Sequence, residues 1–388
     1  MPLELASVGT AIERMTDLVA AEDRSQWLQR ARQLLHEVDT EELRVELQDR
    51  TIRVPWLVAI PLNSTDRAFG LPASPGNFTV VAADGSSIPP DRHSPVQFYM
   101  INTGHAVLAY GDQPHAELVS SAQLYYRDEN LYIDPLGGNF PIQGTRLSVK
   151  MGLEELRALW QAGAEIEPPV VALRDGSLIL WALQNEDAQV QRHFLQEFLP
   201  WLDNFRDAGI PVASYISYPG ARDVVNSLRV WLCEGKPKDC HNCTSVEVKD
   251  FCRALIGILD RQLFGFLRAG ERSDVFDRSS AILDRHGVHR IQFFYMDVGG
   301  EVVRIEAPQW VMANPAMLNL VQALVYDQCR RSGVFPPYPP ALQEAHEQAV
   351  IPSTERLLVE QMVERALARK GVFYTKSAKD GSKRRRPV

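Results

Sequence analysis

Two apolar stretches of this 388-residue chain run into the same tripeptide. Phe78-Thr79-Val80-Val81-Ala82-Ala83 leads to Asp84-Gly85-Ser86, and Pro169-Val170-Val171-Ala172-Leu173-Arg174 leads to Asp175-Gly176-Ser177. A carboxylate at the end of a buried strand, followed by a glycine that lets a ligand approach the backbone, is one way to hold a divalent cation for phosphoryl transfer. Asp-Gly is also an ordinary hairpin turn. A third copy, Asp380-Gly381-Ser382, stands in a polar tail with no strand pattern before it, so the strand context rather than the letters carries the signal. Two such strand ends could share one metal site.

Other residues could complete such a site. Glu154 and Glu155 lie in a helical pattern over residues 151–160 that leads into the second strand. They are expected to open that helix, where negative charge suits the N-terminus and a solvated face is the ordinary outcome. One of them could supply the third acid that two metal ions would want. His346 lies on a helix that begins after Tyr338-Pro339-Pro340, and Tyr338 sits near the helix entry, so both could face one cleft. A lone histidine is more often structural, but beside a scissile phosphate it could ligate metal or move a proton. Cys233, Cys240, Cys243 and Cys252, four of the five cysteines, fall close together. In a reducing compartment clustered thiols point to metal more than to disulfides, and one Cys-x-x-Cys pair with two outlying ligands would serve tetrahedral zinc or an iron-sulfur cluster. Lys236, Pro237, Lys238 and Asp239 read as a loop, which makes this stretch an insertion. Cys329, alone, reads as core.

The elements that would position these groups alternate. Val8, Ile12, Met15, Leu18 and Val19, then Trp27, Leu28, Ala31, Leu34 and Leu35, recur at helical spacing, so residues up to about 50 read as amphipathic helices that face a core or a partner. A turn-rich stretch, 61–77, precedes the strand that ends at Asp84. Residues 97–111 read as a hairpin turning at Asn102-Thr103-Gly104, and 116–126 as another strand. Further on come a helix near 186–205, a strand at 212–217, a helix from Gly220, and a hairpin over 290–305 about Gly299-Gly300. Two helices follow the prolines at 336–340. Antiparallel strands followed by alternating helices and strands predict a mixed α/β sheet.

Composition sets the limits. Hydrophobic content of 45% and 23% charged residues are those of a soluble globular protein, and no apolar run approaches the roughly 18 residues of a membrane span. With Met1-Pro2-Leu3-Glu4-Leu5 unlike a signal peptide, a cytoplasmic protein is expected. A net charge of −8 argues against a surface that binds nucleic acid all over, but a nuclease needs only a basic groove beside an acidic site, so overall charge decides little. Lys376, Lys379, Lys383, Arg384, Arg385 and Arg386 make a basic tail that is either solvated or binds a polyanion or partner. No Gly-x-x-x-x-Gly-Lys-Ser/Thr string occurs, so ATP-driven movement would have to come from another chain.

Taken in order, the strand ending in Asp84-Gly85-Ser86, Leu173-Arg174-Asp175-Gly176-Ser177-Leu178, Gly270-Glu271-Arg272-Ser273, Phe293-Phe294-Tyr295 with Arg304-Ile305-Glu306, and Tyr338-Pro339 with Glu344-Ala345-His346 resemble the NurA family of DNA-end-processing nucleases. The resemblance runs from about residue 75 to 355. It implies an RNase H-like mixed sheet flanked by helices, preceded by a helical region at 1–74, carrying the cysteine insertion at about 231–253, and followed by a C-terminal helix and basic tail at 356–388. It further implies a manganese-dependent deoxyribonuclease, with magnesium as the alternative metal. The expected role is 5′-3′ exonuclease and single-strand endonuclease activity in resecting double-strand breaks, as a homodimer with a hexameric HerA-like ATPase. The residues themselves leave exonuclease and endonuclease open. Family acids correspond to Asp84 and Asp175, and the family's tyrosine and histidine to Tyr338 and His346. Of the two glutamates, Glu155 is the closer match, because it adjoins the apolar Leu156 and Leu159 face. The expected metal ligands are Asp84, Glu155, Asp175 and His346. A non-catalytic nucleic-acid-binding or scaffold subunit of a motor ATPase is the rival expectation.

Overall fold

The structure, a computed structural model, describes residues 4–372 apart from 22–24, 50–51, 93, 95, 135, 138, 234–237, 241 and 244–248. Asp380-Gly381-Ser382 and the basic tail therefore lie outside the described residues, as do Lys236 and Pro237. Thirteen strands are described: β1 (Ala59–Pro61), β2 (Ala68–Phe69), β3 (Phe78–Ile88), β4 (Tyr99–Tyr110), β5 (His115–Tyr125), β6 (Tyr132–Asp134), β7 (Asn139–Pro141), β8 (Val170–Asp175), β9 (Val212–Ile216), β10 (Arg272–Ser273), β11 (Phe276–Arg278), β12 (Ile291–Asp297) and β13 (Val302–Pro308). The main sheet runs β1-β11-β12-β13-β9-β8-β3-β4-β5, with β2 and β10 paired beside β12 and a separate β6-β7 pair. β3, β4 and β5 form an antiparallel meander, and β8 and β9 join β3 in parallel. This mixed half, with β3 at its centre and two parallel strands on one side, is the RNase H-like arrangement. It is extended by the antiparallel strands β13, β12, β11 and β1.

Alternation along β3 and β8 explains why they read as continuous apolar runs. Val81, Ala83, Val170 and Ala172 face one core, closed by the helices Thr145–Gly163 and Ala188–Asp207 through Leu153, Leu156, Phe194 and Phe198. Val80, Ala82, Val171 and Leu173 face the other, closed by the helices Pro315–Arg331 and Pro340–Ala349 through Val321, Leu324, Leu342 and Ala345. A strand covered on both faces has no polar side to show. A third core joins the helices Ser25–Glu37, Thr40–Leu47 and Asp223–Trp231 to Phe276, Phe293 and Tyr295 of β11 and β12. Because β1 and β2 also belong to the main sheet, the sheet begins ahead of residue 75. In the first helix, Leu5–Ala21, the side chains of Val8, Ile12 and Met15 are exposed and belong to none of the three cores among the described residues.

Three expectations are corrected. The first Asp-Gly-Ser does not end its strand: β3 continues to Ile88, paired throughout with β4, whereas β8 does end at Asp175, with Gly176 turning at φ +72°. Residues 97–111 form no hairpin either, since β4 is continuous through Asn102-Thr103-Gly104. Turn-forming residues serve helix packing here. Asn102 Nδ2 donates to the Gln348 and Ala349 carbonyls at 3.1 and 2.8 Å, and a Cβ on Gly104 would fall 2.3 Å from the Ala345 carbonyl oxygen. Finally, Glu154 and Glu155 lie in the middle of a helix that starts at Thr145, so helix-end charge does not account for them. Glu154 pairs with Lys150 and Arg157 on this helix and Glu155 with Arg174 of β8, and these polar side chains mask the periodicity of its buried face.

Gly104 thus sets the seating of the helix that carries His346. Gly104→Ala should destabilise the protein by about 1–3 kcal/mol, the usual cost of overpacking, because backbone atoms of Ala345 and Ala349 must move. Thermal melting checks this, and a melting point equal to the parent's would show that the helix is not held there.

Candidate active site

The period-two geometry of β3 and β8 directs each side chain of the site. Ala83 is level with Arg174, so Asp84 and Asp175 stand at the same height on neighbouring parallel strands. Asp84 continues the face of Val80 and Ala82, and Asp175 that of Val171 and Leu173. On that face, His346 Nδ1 lies 2.6 Å from Asp84 Oδ2, and the Tyr338 hydroxyl hydrogen-bonds Asp175. Tyr338 is further fixed by Tyr215, ring centroids 5.5 Å apart at 86°, and the Tyr215 hydroxyl donates to the Pro337 carbonyl at 3.4 Å. His346 itself is largely exposed.

The opposite face holds the glutamate. Gly85 and Arg174 point toward the helix Thr145–Gly163, where Arg174 Nε and Nη2 both lie 2.9 Å from Glu155 Oε2. Two glycines make this possible. A Cβ on Gly85 would lie 2.8 Å from Glu155 Oε1, and one on Gly152 would lie 2.6 Å from Arg174 Nη2. Gly85 therefore admits the Glu155 side chain to the strand. Glu154 points elsewhere, with Lys150 Nζ 3.2 Å from Oε1 and Arg157 Nη2 2.7 Å from Oε2. Arg174 Nη1 also donates to the Ser177 carbonyl at 3.1 Å, tying the glutamate to the loop after Asp175.

Burial raises the pKa of Glu155, opposed by Arg174 and reinforced by the charge of Asp84. It also raises that of Asp175, opposed by the Gly176 N–H and reinforced by Asp84. The Tyr338 hydroxyl is pushed well up, first by burial and then by the charges of Asp175 and Asp84, so it stays a donor. Three carboxylates that repel one another beside an imidazole are a donor set that suits a divalent cation. Among the described residues no group of three or more His, Cys, Asp and Glu side chains stands in metal-holding geometry; the acids are instead engaged by Arg174, His346 and Tyr338.

Sequence reasoning assigned no role to Arg174 or to the buried charges behind it. Ser177 Oγ donates to Glu306 Oε2 at 2.6 Å, Glu306 Oε1 accepts from Arg304 Nε at 3.1 Å, and Arg304 Nη1 donates to Asp223 Oδ2 at 2.9 Å. Arg278 joins Asp223 at 2.9 Å, and Arg304 lies over the Phe293 ring, 3.4 Å from its centroid. This network anchors the loop that follows Asp175. An arginine in an otherwise apolar strand and an Arg-x-Glu in a buried one were the available signals.

The cysteines are free. Cys233 follows the helix Asp223–Trp231, Cys240 N–H donates to the Arg53 carbonyl at 3.0 Å, and Arg229 Nε approaches Cys252 Sγ at 3.4 Å. Burial, then the neighbouring Cys233 and Cys252, push the Cys240 thiol up. The thiols are neighbours, but the zinc or iron-sulfur site expected from their spacing is not assembled among the described residues. Cys329 is buried, as expected.

A model of the NurA domain matches residues 78–351, well over half of the chain. No curated protein matches the sequence. Among solved structures, the chain is similar to a NurA crystallised with manganese, at 13% identity over 92% of this chain and 98% of that one, with a TM-score of 0.36. It is similar also to the catalytic domain of human endonuclease V, at 14% over 90% and 98% with a TM-score of 0.30, and to Drosophila Piwi, at 10% over 72% and 30% with a TM-score of 0.29. These structural likenesses are too loose to bear weight, whereas the domain match spans Asp84, Asp175, the glutamate helix and the tyrosine–histidine segment: the chain belongs to the NurA family of nucleases.

Proposed function

We propose that the protein is a metal-dependent deoxyribonuclease in which Asp84, Glu155, Asp175 and His346 hold manganese or magnesium. The observation that carries this is that Asp84 and Asp175 stand level on neighbouring strands, with His346 beside Asp84 and Tyr338 beside Asp175 on one face of the sheet and Glu155, influenced by both charges, on the other. Oxygen ligands with one imidazole suit manganese. Held there, it would lower the pKa of a water and neutralise charge developing on the phosphate. Tyr338, kept protonated, would turn its one O–H from Asp175 to a non-bridging phosphate oxygen when metal occupies the carboxylate. If the other three side chains suffice for the metal, His346, open to solvent beside Asp84, would instead pass a proton to or from the reacting oxygens. Arg174 holds Glu155 in place and offsets part of the negative charge between the two faces.

Cleavage of labelled single- and double-stranded DNA with manganese, with magnesium and with chelator tests the proposal. Cutting is expected with metal and should cease in chelator; activity that persists in chelator would end the metal mechanism. The two glutamates separate cleanly in the same assay. Glu155→Gln should lower the rate by roughly 10²-fold or more, the scale of losing one electrostatic stabiliser, while Glu154→Gln should stay within a few-fold of the parent. The reverse result would show that the wrong glutamate has been placed in the site.

The proposal extends to 5′-3′ exonuclease and single-strand endonuclease work on double-strand breaks, in the cytoplasm, with a HerA-like hexameric ATPase as partner. Exposed apolar side chains on two terminal helices are surfaces of the kind that docking uses, Leu5, Val8, Ile12 and Met15 on Leu5–Ala21, and Leu357, Leu358 and Met362 on Ser353–Arg369. Co-purification at micromolar concentration tests the partnership. Among the described residues no helix is long and apolar enough to cross a membrane.

A further inference from the structure

Beside Asp175 the site has a rim for which the catalytic residues have no use. β9 runs parallel to β8 with Tyr215 level with Asp175. Just past the end of β9, Tyr218 stands at φ 44°, in the left-handed region, and is 69% exposed. A residue with a Cβ is disfavoured there, and glycine is not. Tyr218 is nevertheless held in place. Its N–H donates to Glu301 Oε1, Arg261 Nη1 donates to its carbonyl and to that of Pro219, both at 3.2 Å, and the Arg261 guanidinium lies over its ring, 3.5 Å from the centroid. Glu301 follows the Gly299-Gly300 turn between β12 and β13. Phe335 packs over that turn so closely that a Cβ on Gly300 would fall 2.7 Å from Phe335 Cε2, yet Phe335 is 81% exposed. From Phe335 the chain leads directly to Tyr338, on Asp175.

Contacts thus run without a break from Tyr218 through Glu301, Gly300 and Phe335 to Tyr338 and Asp175, and two large rings on that path face solvent. A flat ring with a guanidinium stacked on one side matches a nucleobase on the other, and such stacking tolerates any base because every base has a π face. We propose that Tyr218, backed by Arg261, and Phe335 form a stacking platform that seats the bases of a single DNA strand next to the carboxylates. The choice of DNA rests on the nuclease function proposed above. Retaining a tyrosine where glycine would sit without strain is explained if the ring itself is used.

Binding of fluorescein-labelled oligothymidine to the full-length protein in EDTA, read by anisotropy, tests this without cleavage. Tyr218→Gly removes the ring and relaxes the backbone, so its melting temperature should not fall, while affinity should drop about tenfold, the scale of one lost base–aromatic stack. Phe335→Ala should weaken binding similarly, and Tyr218→Phe should bind as the parent does. A strand of abasic sites should bind the parent and the Tyr218→Gly variant alike. The platform is overturned if Tyr218→Gly binds oligothymidine as tightly as the parent, if it loses as much affinity for the abasic strand, if it melts below the parent, or if the parent binds no strand at all. The nuclease function fails separately: a parent protein that shows this base-dependent binding yet cuts no DNA with manganese or magnesium keeps the platform and loses the catalytic proposal.

Discussion

Asp84→Asn and Asp175→Asn should each reduce DNA cleavage by about 10³-fold, because each keeps the size of the side chain and removes a charge on which divalent-cation binding depends. Metal-assisted stabilisation of the transition state is worth several kcal/mol, and each 1.36 kcal/mol is a factor of ten in rate. The fold should survive both changes. Asp84 Oδ1 accepts the Gly85 N–H at 2.8 Å and Asp175 Oδ1 the Gly176 N–H at 3.0 Å, and an amide oxygen can accept either bond. Since the charge of Asp84 raises the pKa of both Asp175 and Glu155, removing it relieves repulsion in the metal-free protein. Melting temperature without metal should therefore hold or rise in both variants, and binding of DNA should persist. Asp380→Asn, in the copy of the tripeptide without a strand, should cut at the parent rate. Parent-like cleavage by Asp84→Asn and Asp175→Asn would remove both residues from the site.

Arg304→Met should cost about 3–5 kcal/mol of stability, the largest effect expected outside the site. Arg304 is 2% exposed, and its loss would leave the two buried acids Asp223 and Glu306 to share Arg278, at 2.9 and 3.5 Å. Removing one member of a buried ion network is costly because the remaining charge stays desolvated, whereas replacing partners together can be nearly neutral. A second change, Glu306→Leu, should therefore recover part of the loss. Denaturant midpoints at unchanged m-value measure both. A single variant within 1 kcal/mol of the parent (about the value of an exposed pair) would show that the network is dispensable. Because Glu306 accepts from Ser177, Arg304→Met should also loosen the loop after Asp175 and lower cleavage in a protein that is still folded.

Much of this chain could be read before its structure. Strands covered on both faces leave unbroken apolar runs, so β3 and β8 and the acids Asp84 and Asp175 stood out from local pattern alone, and the order of motifs that include Tyr338 and His346 carried the resemblance to NurA. Elements with strong periodicity, such as Ala188–Asp207 and the β12-β13 pair, lay close to where the pattern placed them.

What the pattern could not supply depended on contacts distant in sequence. Asn102-Thr103-Gly104 has the composition of a turn, and only the helix Pro340–Ala349 lying across β4 makes the amide a carbonyl partner and the glycine a point of close approach. Glu154 and Glu155 differ by about 100° around a helix, and which of them reaches β3 at Gly85 was decided by how that helix lies on the sheet, with Gly85 and Gly152 clearing space for Glu155 and Arg174. Tyr218 gave no sequence signal, because neither its left-handed backbone nor its nearness to Asp175 exists until β9 lies parallel to β8. Sequence by itself determined the family, the apolar cores of β3 and β8 and the chemical types of the candidate site residues, since these follow from residue identity and local period. The tertiary structure decided which of those residues meet, because that depends on how separate elements cross, and no local period encodes a crossing.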